Sequence, residues 1–155
     1  AIAIEVNIVS ISNIDKLNIY HATQKGMAQV LEALAVKPDI ALIDAMPVNV
    51  PGLETVSLVH GDALSISIAA ASIIAKVTRD HLMERLDEVY PEYAFIHNKG
   101  YGSSAHMQAI TKFGATRWHR RSYEPIKSMN LQPVAEEENI LYSPLLDEYE
   151  YPVKR

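Results

Sequence analysis

Residues 39–62 read DIALIDAMPVNVPGLETVSLVHGD, and the way this stretch folds decides the architecture. Its opening, Asp39-Ile40-Ala41-Leu42-Ile43-Asp44, is a continuous apolar run closed by an acid, the pattern of a strand covered on both faces in a helix-flanked sheet. Pro47, Pro51 and Gly52 force residues 46–52 into a loop. Thr55-Val56-Ser57-Leu58-Val59 has the β-branched content of a second strand, and His60-Gly61-Asp62 turns out of it. Asp44 and Asp62 thus each close a strand. Sites in open α/β sheets gather outside the carboxyl ends of strands, so neighbouring strands would aim both carboxylates at one pocket.

Upstream, Ile2, Ile4, Val6 and Ile8 alternate with Ala3, Glu5, Asn7 and Val9, which predicts a strand over residues 2–9. Ser12-Asn13-Ile14-Asp15 supplies a capping signature, and Leu17, Tyr20, Gln24, Met27, Leu31 and Leu34 space an amphipathic helix that ends before Lys37-Pro38. Downstream, a long helix is expected from about Ser65 to Tyr90. Its first half, with Ala69, Ala70, Ala71, Ser72 and Ala75, is small enough to lie close against a sheet; its second half carries a stripe of Leu82, Met83, Leu86 and Val89. Pro91 ends it. The glycine-bearing loop Asn98-Lys99-Gly100-Tyr101-Gly102-Ser103 leads into a short helix over residues 104–112, which Gly114 stops. Beyond Lys127 the sequence is rich in Glu, Pro and Tyr and reads as an extended or partly disordered tail. The order of elements is that of an α/β domain.

With 155 residues, 48% of them apolar, the chain has material for one core. It has no cysteine, which excludes disulfide scaffolds, thiolate metal sites and cysteine nucleophiles, and which fits a reducing, cytoplasmic setting. Any metal would be held by carboxylate or imidazole. No apolar run is long enough for a membrane span. The first residues, AIAIEVNIV, begin inside a strand-like alternation without an initiator Met or a charged leader, as expected of a piece of something longer. The net charge of −5 hides a split: residues 97–127 hold six Lys/Arg against one acid, and residues 131–155 hold six acids against two bases.

Two nearby carboxylates repel unless a cation sits between them or one stays protonated. A hard, oxygen-seeking ion, Mg²⁺ or Mn²⁺, would resolve the conflict at Asp44 and Asp62 and could activate water against a phosphodiester. The plainer alternative is that both acids only cap, Asp62 its helix and Asp44 the loop after its strand. Tyr101 also has two readings, a ring exposed for stacking beside Lys99 or a loop tyrosine folded back on the core. Histidines 21, 60, 81, 97, 106 and 119 show no metal-ligand spacing, and most of them read as surface or interface residues. Lys76, Arg79 and Asp80 read as an internal ion pair on the long helix.

The segments GDALSISIAAASIIAKVTRD (61–80), KGYGSSAHMQAITKFGAT (99–116) and HRRSYEPIK (119–127), with LNIYHATQKGMAQVLEAL (17–34) and LIDAMPVNVPG (42–52) upstream, resemble bacterial ribonuclease HII. The resemblance runs from Ile2 to Lys127. It implies an α/β fold, a ribonuclease H-like sheet flanked by helices, here missing its N-terminal strands, with C-terminal helices and an extended tail. Residues 1–128 would be a partial catalytic domain and residues 129–155 an acidic tail. The implied activity is a metal-dependent endonuclease that hydrolyses the RNA strand of RNA–DNA hybrids, and ribonucleotides embedded in duplex DNA, with two Mg²⁺ or Mn²⁺ ions. Asp44 and Asp62 correspond to the third and fourth of the family's metal-binding acids, and Tyr101, with Lys99 beside it, to its reader of the junction sugar. Ser72, Lys76, Arg79 and Asp80 would be structural support.

The sequence also departs from the family. An Asp-Glu pair followed by Gly-Arg-Gly, which supplies the family's other two acids and the loop gripping the 2′-hydroxyl, does not occur in it. His60 stands where the family usually has Lys. The expectations are therefore that this chain alone is catalytically inactive and that exposed strand edges make it self-associate or borrow a strand. The alternatives are a non-catalytic nucleic-acid-binding module using Lys99, Lys112, Arg117, Arg120, Arg121 and Lys127, and a structural piece whose acids merely cap.

Overall fold

The computed structural model describes residues 1–133 and 135–143, which divide between two compact units. Residues 1–73 together with 135–143 belong to the first, and residues 74–133 to the second.

The first unit contains β1 (Val6–Ile8), α1 (Ile11–Ala33), β2 (Ile40–Asp44), β3 (Glu54–Leu58), α2 (Gly61–Leu64) and the start of α3 (Ile66–Val89). Ser10 rather than Ser12 caps α1, its side chain accepting from the Asn13 amide. At Asn18 the helix breaks its dihedrals (φ 65°, ψ 165°) and restarts, because Asn18 Oδ1 accepts from the His21 amide at 3.2 Å and so acts as a second cap. Met27, Ala28 and Leu31 of α1 then pack on a small core of Ile43, Val48 and Val50.

β2 and β3 run parallel with Asp44 opposite Leu58, so both strands end at the same edge. The expectation that β2 is covered on both faces is corrected: Ala41 and Ile43 are buried while Ile40 and Leu42 stay 49% and 43% exposed. β1 is shorter than its alternating pattern. It does not join β2 and β3; it pairs antiparallel with β4 (Ile140–Tyr142), a strand supplied by the tail. Polar side chains fix that tail. Asn139 Oδ1 accepts from the Ser10 amide at 2.9 Å and from Asn13 Nδ2 at 3.0 Å, its own amide donates to Gln29 Oε1, and Lys16 pairs with Glu136 at 3.0 Å. The stretch from 135 to 143 is thus anchored rather than loose, and residues 144–155 lie outside those described.

The helix expected from about Ser65 to Tyr90 is present as α3 (Ile66–Val89), and the separate short helix α2 that precedes it closes at Ser65, which is extended (φ −131°). The small residues Ala70, Ala71, Ser72 and Ala75 are exposed, as are Ile66 (88%) and Ile73 (62%), so the first half of α3 is not the close-packed segment its composition predicts.

In the second unit, α3 from Ile74 onward is followed by a 3-10 turn (Pro91–Tyr93), α4 (Phe95–Asn98), α5 (Ser104–Phe113) and another 3-10 turn (Ile126–Met129). Its core gathers Met83, Leu86, Tyr93, Phe95, Ala109, Ile110 and Ile126. Two histidines join it, while most of the six read from the sequence as surface or interface residues: His106 and His119 are buried with their rings stacked, centroids 5.2 Å apart and planes 14° apart. Burial, with the His106 ring as a lesser cause, pushes the His119 imidazole down to about 4, and its Nε2 has no hydrogen-bond partner among the described residues.

Candidate active site

Asp44 is carried to the edge of the sheet by β2, and the chain leaves it through Ala45 in the left-handed region (φ 52°), whose amide donates to Leu58 O at 2.8 Å. β3 ends opposite, and His60 turns the chain, also left-handed at φ 56°. The next residue makes the key contact. The Gly61 amide donates to Asp44 Oδ1 at 2.8 Å, so Asp44 fastens the turn after β3 and not the loop after its own strand. Gly61 is buried, and a Cβ there would lie 2.7 Å from Ile68 Cδ1 and 3.2 Å from Asp44 Oδ1. Only glycine lets the backbone approach the carboxylate this closely.

Asp62 follows immediately, in the first turn of α2, its Oδ1 accepting from the adjacent Ala63 amide at 2.9 Å. Both carboxylates are exposed. The fold therefore brings the two acids to one strand edge, linked through Gly61, and leaves them open to solvent. Two hard oxygen donors of this kind suit Mg²⁺ or Mn²⁺. No group of three or more His, Asp or Glu able to hold an ion occurs among the described residues, so the two acids by themselves do not make a complete ligand set.

Tyr101 and Lys99 sit on the loop between α4 and α5 in the second unit. Tyr101 is 70% exposed, so it is not folded back on the core. Lys99 is less available: its Nζ lies 3.5 Å from Glu84 Oε1, so a phosphate would have to compete with that carboxylate. On α3, Lys76 pairs with Asp80, and that bond holds the Asp80 carboxyl below its usual range. Arg79 does something the sequence did not signal. Its Nη2 donates to Lys99 O at 3.0 Å and its guanidinium lies 5.9 Å from the Tyr101 ring centre, so it braces the loop from the side. Of the other basic residues, Lys112, Arg117 and Lys127 are exposed, and Arg120 lies over the Tyr123 ring at 4.0 Å.

Known proteins resemble this chain in sequence and in fold. A family model described as Ribonuclease HII matches residues 1–125. A ribonuclease HII of Lactobacillus gasseri is 52% identical over 128 residues, covering 81% of this chain and 50% of that protein. One from Enterococcus faecalis is 53% identical over 129 residues, covering 83% of this chain and again 50% of the relative. The chain thus spans about half the length of the curated relatives it matches. Among solved structures, the crystal structure of the ribonuclease H2 from Pyrococcus horikoshii OT3 superposes with a TM-score of 0.64 at 23% identity, over 77% of this chain and 64% of that one. That likeness establishes the fold.

Proposed function

The chain belongs to the ribonuclease HII family, and from that premise we propose that Asp44 and Asp62 are two of the metal-binding carboxylates of a nuclease that hydrolyses the RNA strand of RNA–DNA hybrids and ribonucleotides embedded in duplex DNA. The observation that carries the reading is the Gly61 bridge: an amide held on Asp44 Oδ1 at 2.8 Å sets the next residue, Asp62, at the same strand edge. Neighbouring carboxylates left open to solvent cost the fold through their repulsion unless a cation offsets it. Mg²⁺ or Mn²⁺, when bound, supplies charge neutralisation at the phosphate and a more acidic water. The chain's own contribution is to hold one carboxylate rigidly on the sheet and the other on a short helix turn, and to present an exposed ring at Tyr101 for stacking beside the junction sugar.

This chain alone is inactive on the same reading, since Asp44 and Asp62 stand without the Asp-Glu and Gly-Arg-Gly residues that complete the family's site. Its work belongs to a chain that also carries those residues, in a cytoplasmic setting; among the described residues no helix is long and apolar enough to cross a membrane. The test is titration calorimetry with Mn²⁺ on the wild-type chain and on Asp44→Asn and Asp62→Asn. Loss of binding in both variants is expected, and unchanged binding would reduce the two acids to caps. Salt-dependent hybrid binding without any Mn²⁺ binding would favour the non-catalytic module.

A further inference from the structure

The loop that carries Tyr101 is fastened at its root, and we propose that Asn98 is the positioning residue that presents the Tyr101 ring, with Arg79 as a lateral brace. This rests on the reading that Tyr101 contacts the junction sugar. Lys99 (φ 49°) and Gly100 (φ 77°) are consecutive left-handed residues, a backbone state that does not hold itself. Tyr101, being largely exposed, has little burial of its own to fix it. Asn98 supplies what is missing. Its Oδ1 accepts from the Gly100 amide at 2.8 Å, its backbone oxygen accepts from the Tyr101 amide at 2.8 Å, and its Nδ2 donates to Tyr93 O at 2.7 Å.

Tyr93 is only 3% exposed and lies in the ring cluster with Phe95 and His106, so one carboxamide ties the exposed loop to the buried core of the second unit. The chemistry selects asparagine: aspartate keeps the acceptor but loses the donor, and an aliphatic residue loses both. From the other side, Arg79 holds the Lys99 carbonyl. A ring set in place before the ligand arrives binds without the ordering cost that a mobile loop would incur.

The experiment is amide hydrogen exchange by NMR on the whole chain, paired with binding of a duplex bearing one ribonucleotide against the same duplex in all-DNA form. Asn98→Ala should speed exchange at Gly100 and Tyr101 at least about tenfold while Ile110 in α5 is unchanged. Asn98→Asp, which keeps the acceptor, should retain protection at Gly100 better than Asn98→Ala does; equal protection at Gly100 and Tyr101 in wild type and both variants overturns the proposal. In binding, Asn98→Ala should cut ribonucleotide preference about tenfold and add nothing in a Tyr101→Ala background. A fully additive loss would mean that Asn98 does not act through Tyr101. Should Tyr101→Ala itself leave preference intact, the substrate reading fails, and the exchange data still decide whether Asn98 positions the loop.

Discussion

The Gly61 amide and the Asp44 carboxylate meet at 2.8 Å, and this one bond joins the ends of two parallel strands. Its closeness depends on a missing side chain. Gly61→Ala should therefore destabilise the chain by about 1–3 kcal/mol, because the new methyl meets Ile68 Cδ1 and Asp44 Oδ1. Urea denaturation measures this, and adding Ile68→Val, which removes that Cδ1, should recover part of the loss.

Among the described residues the Asp62 carboxylate accepts from its neighbour in the chain, the Ala63 amide. Asp62→Asn should leave the urea midpoint within the equivalent of about 0.5 kcal/mol while abolishing the calorimetric signal for Mn²⁺. A loss above about 1 kcal/mol in Asp62→Ala, which unlike asparagine leaves no acceptor, would instead mark Asp62 as a helix cap.

Tyr101 is exposed, so Tyr101→Ala should be close to neutral in a thermal melt. Binding to a duplex with a single ribonucleotide should weaken about tenfold or more, the loss of one ring-on-sugar or ring-on-base contact. Fluorescence anisotropy against an all-DNA control reads the difference.

His119 gives a pH dependence of definite sign. Its imidazole is held down to about 4 by burial, against 6.5 in the unfolded chain, so the unfolded state binds the proton more tightly between those values. The stabilisation is complete above pH 6.5 and fades as pH falls toward 4, by up to about 3 kcal/mol. Urea titrations at pH 7 and pH 4.5 should show the decline, and His119→Phe should flatten it.

Much of the architecture was legible because it rests on local patterns. The β-branched run at Thr55, the apolar run closed by Asp44, the start of α5 after the glycine-bearing loop and the Gly114 stop all act within a few residues, and each stands within a residue or two of its expected place. Asp44 and Asp62 were found as strand-end acids for the same reason. What could not be read depends on distant partners. β1 finds its strand in a tail more than a hundred residues away, and no periodicity announces such a pairing. His106 and His119 looked like surface residues because polar side chains usually are, yet each rests on aromatic neighbours that only the fold assembles. The small residues of α3 suggested close packing, and composition says which helices can pack tightly without saying which do. Arg79 was read as half of an ion pair, when its partner is a backbone carbonyl twenty residues on.

The tail strand bears on how the gene is best handled. Family similarity stops at residue 125, while β4 and the polar clamp on Asn139 lie beyond it. A protein trimmed to the matched residues would lose the strand beside β1 and open that edge to another molecule. Precipitation of such a product would report where the scissors fell, and an expression plasmid that keeps β4 and Asn139 is the better starting point.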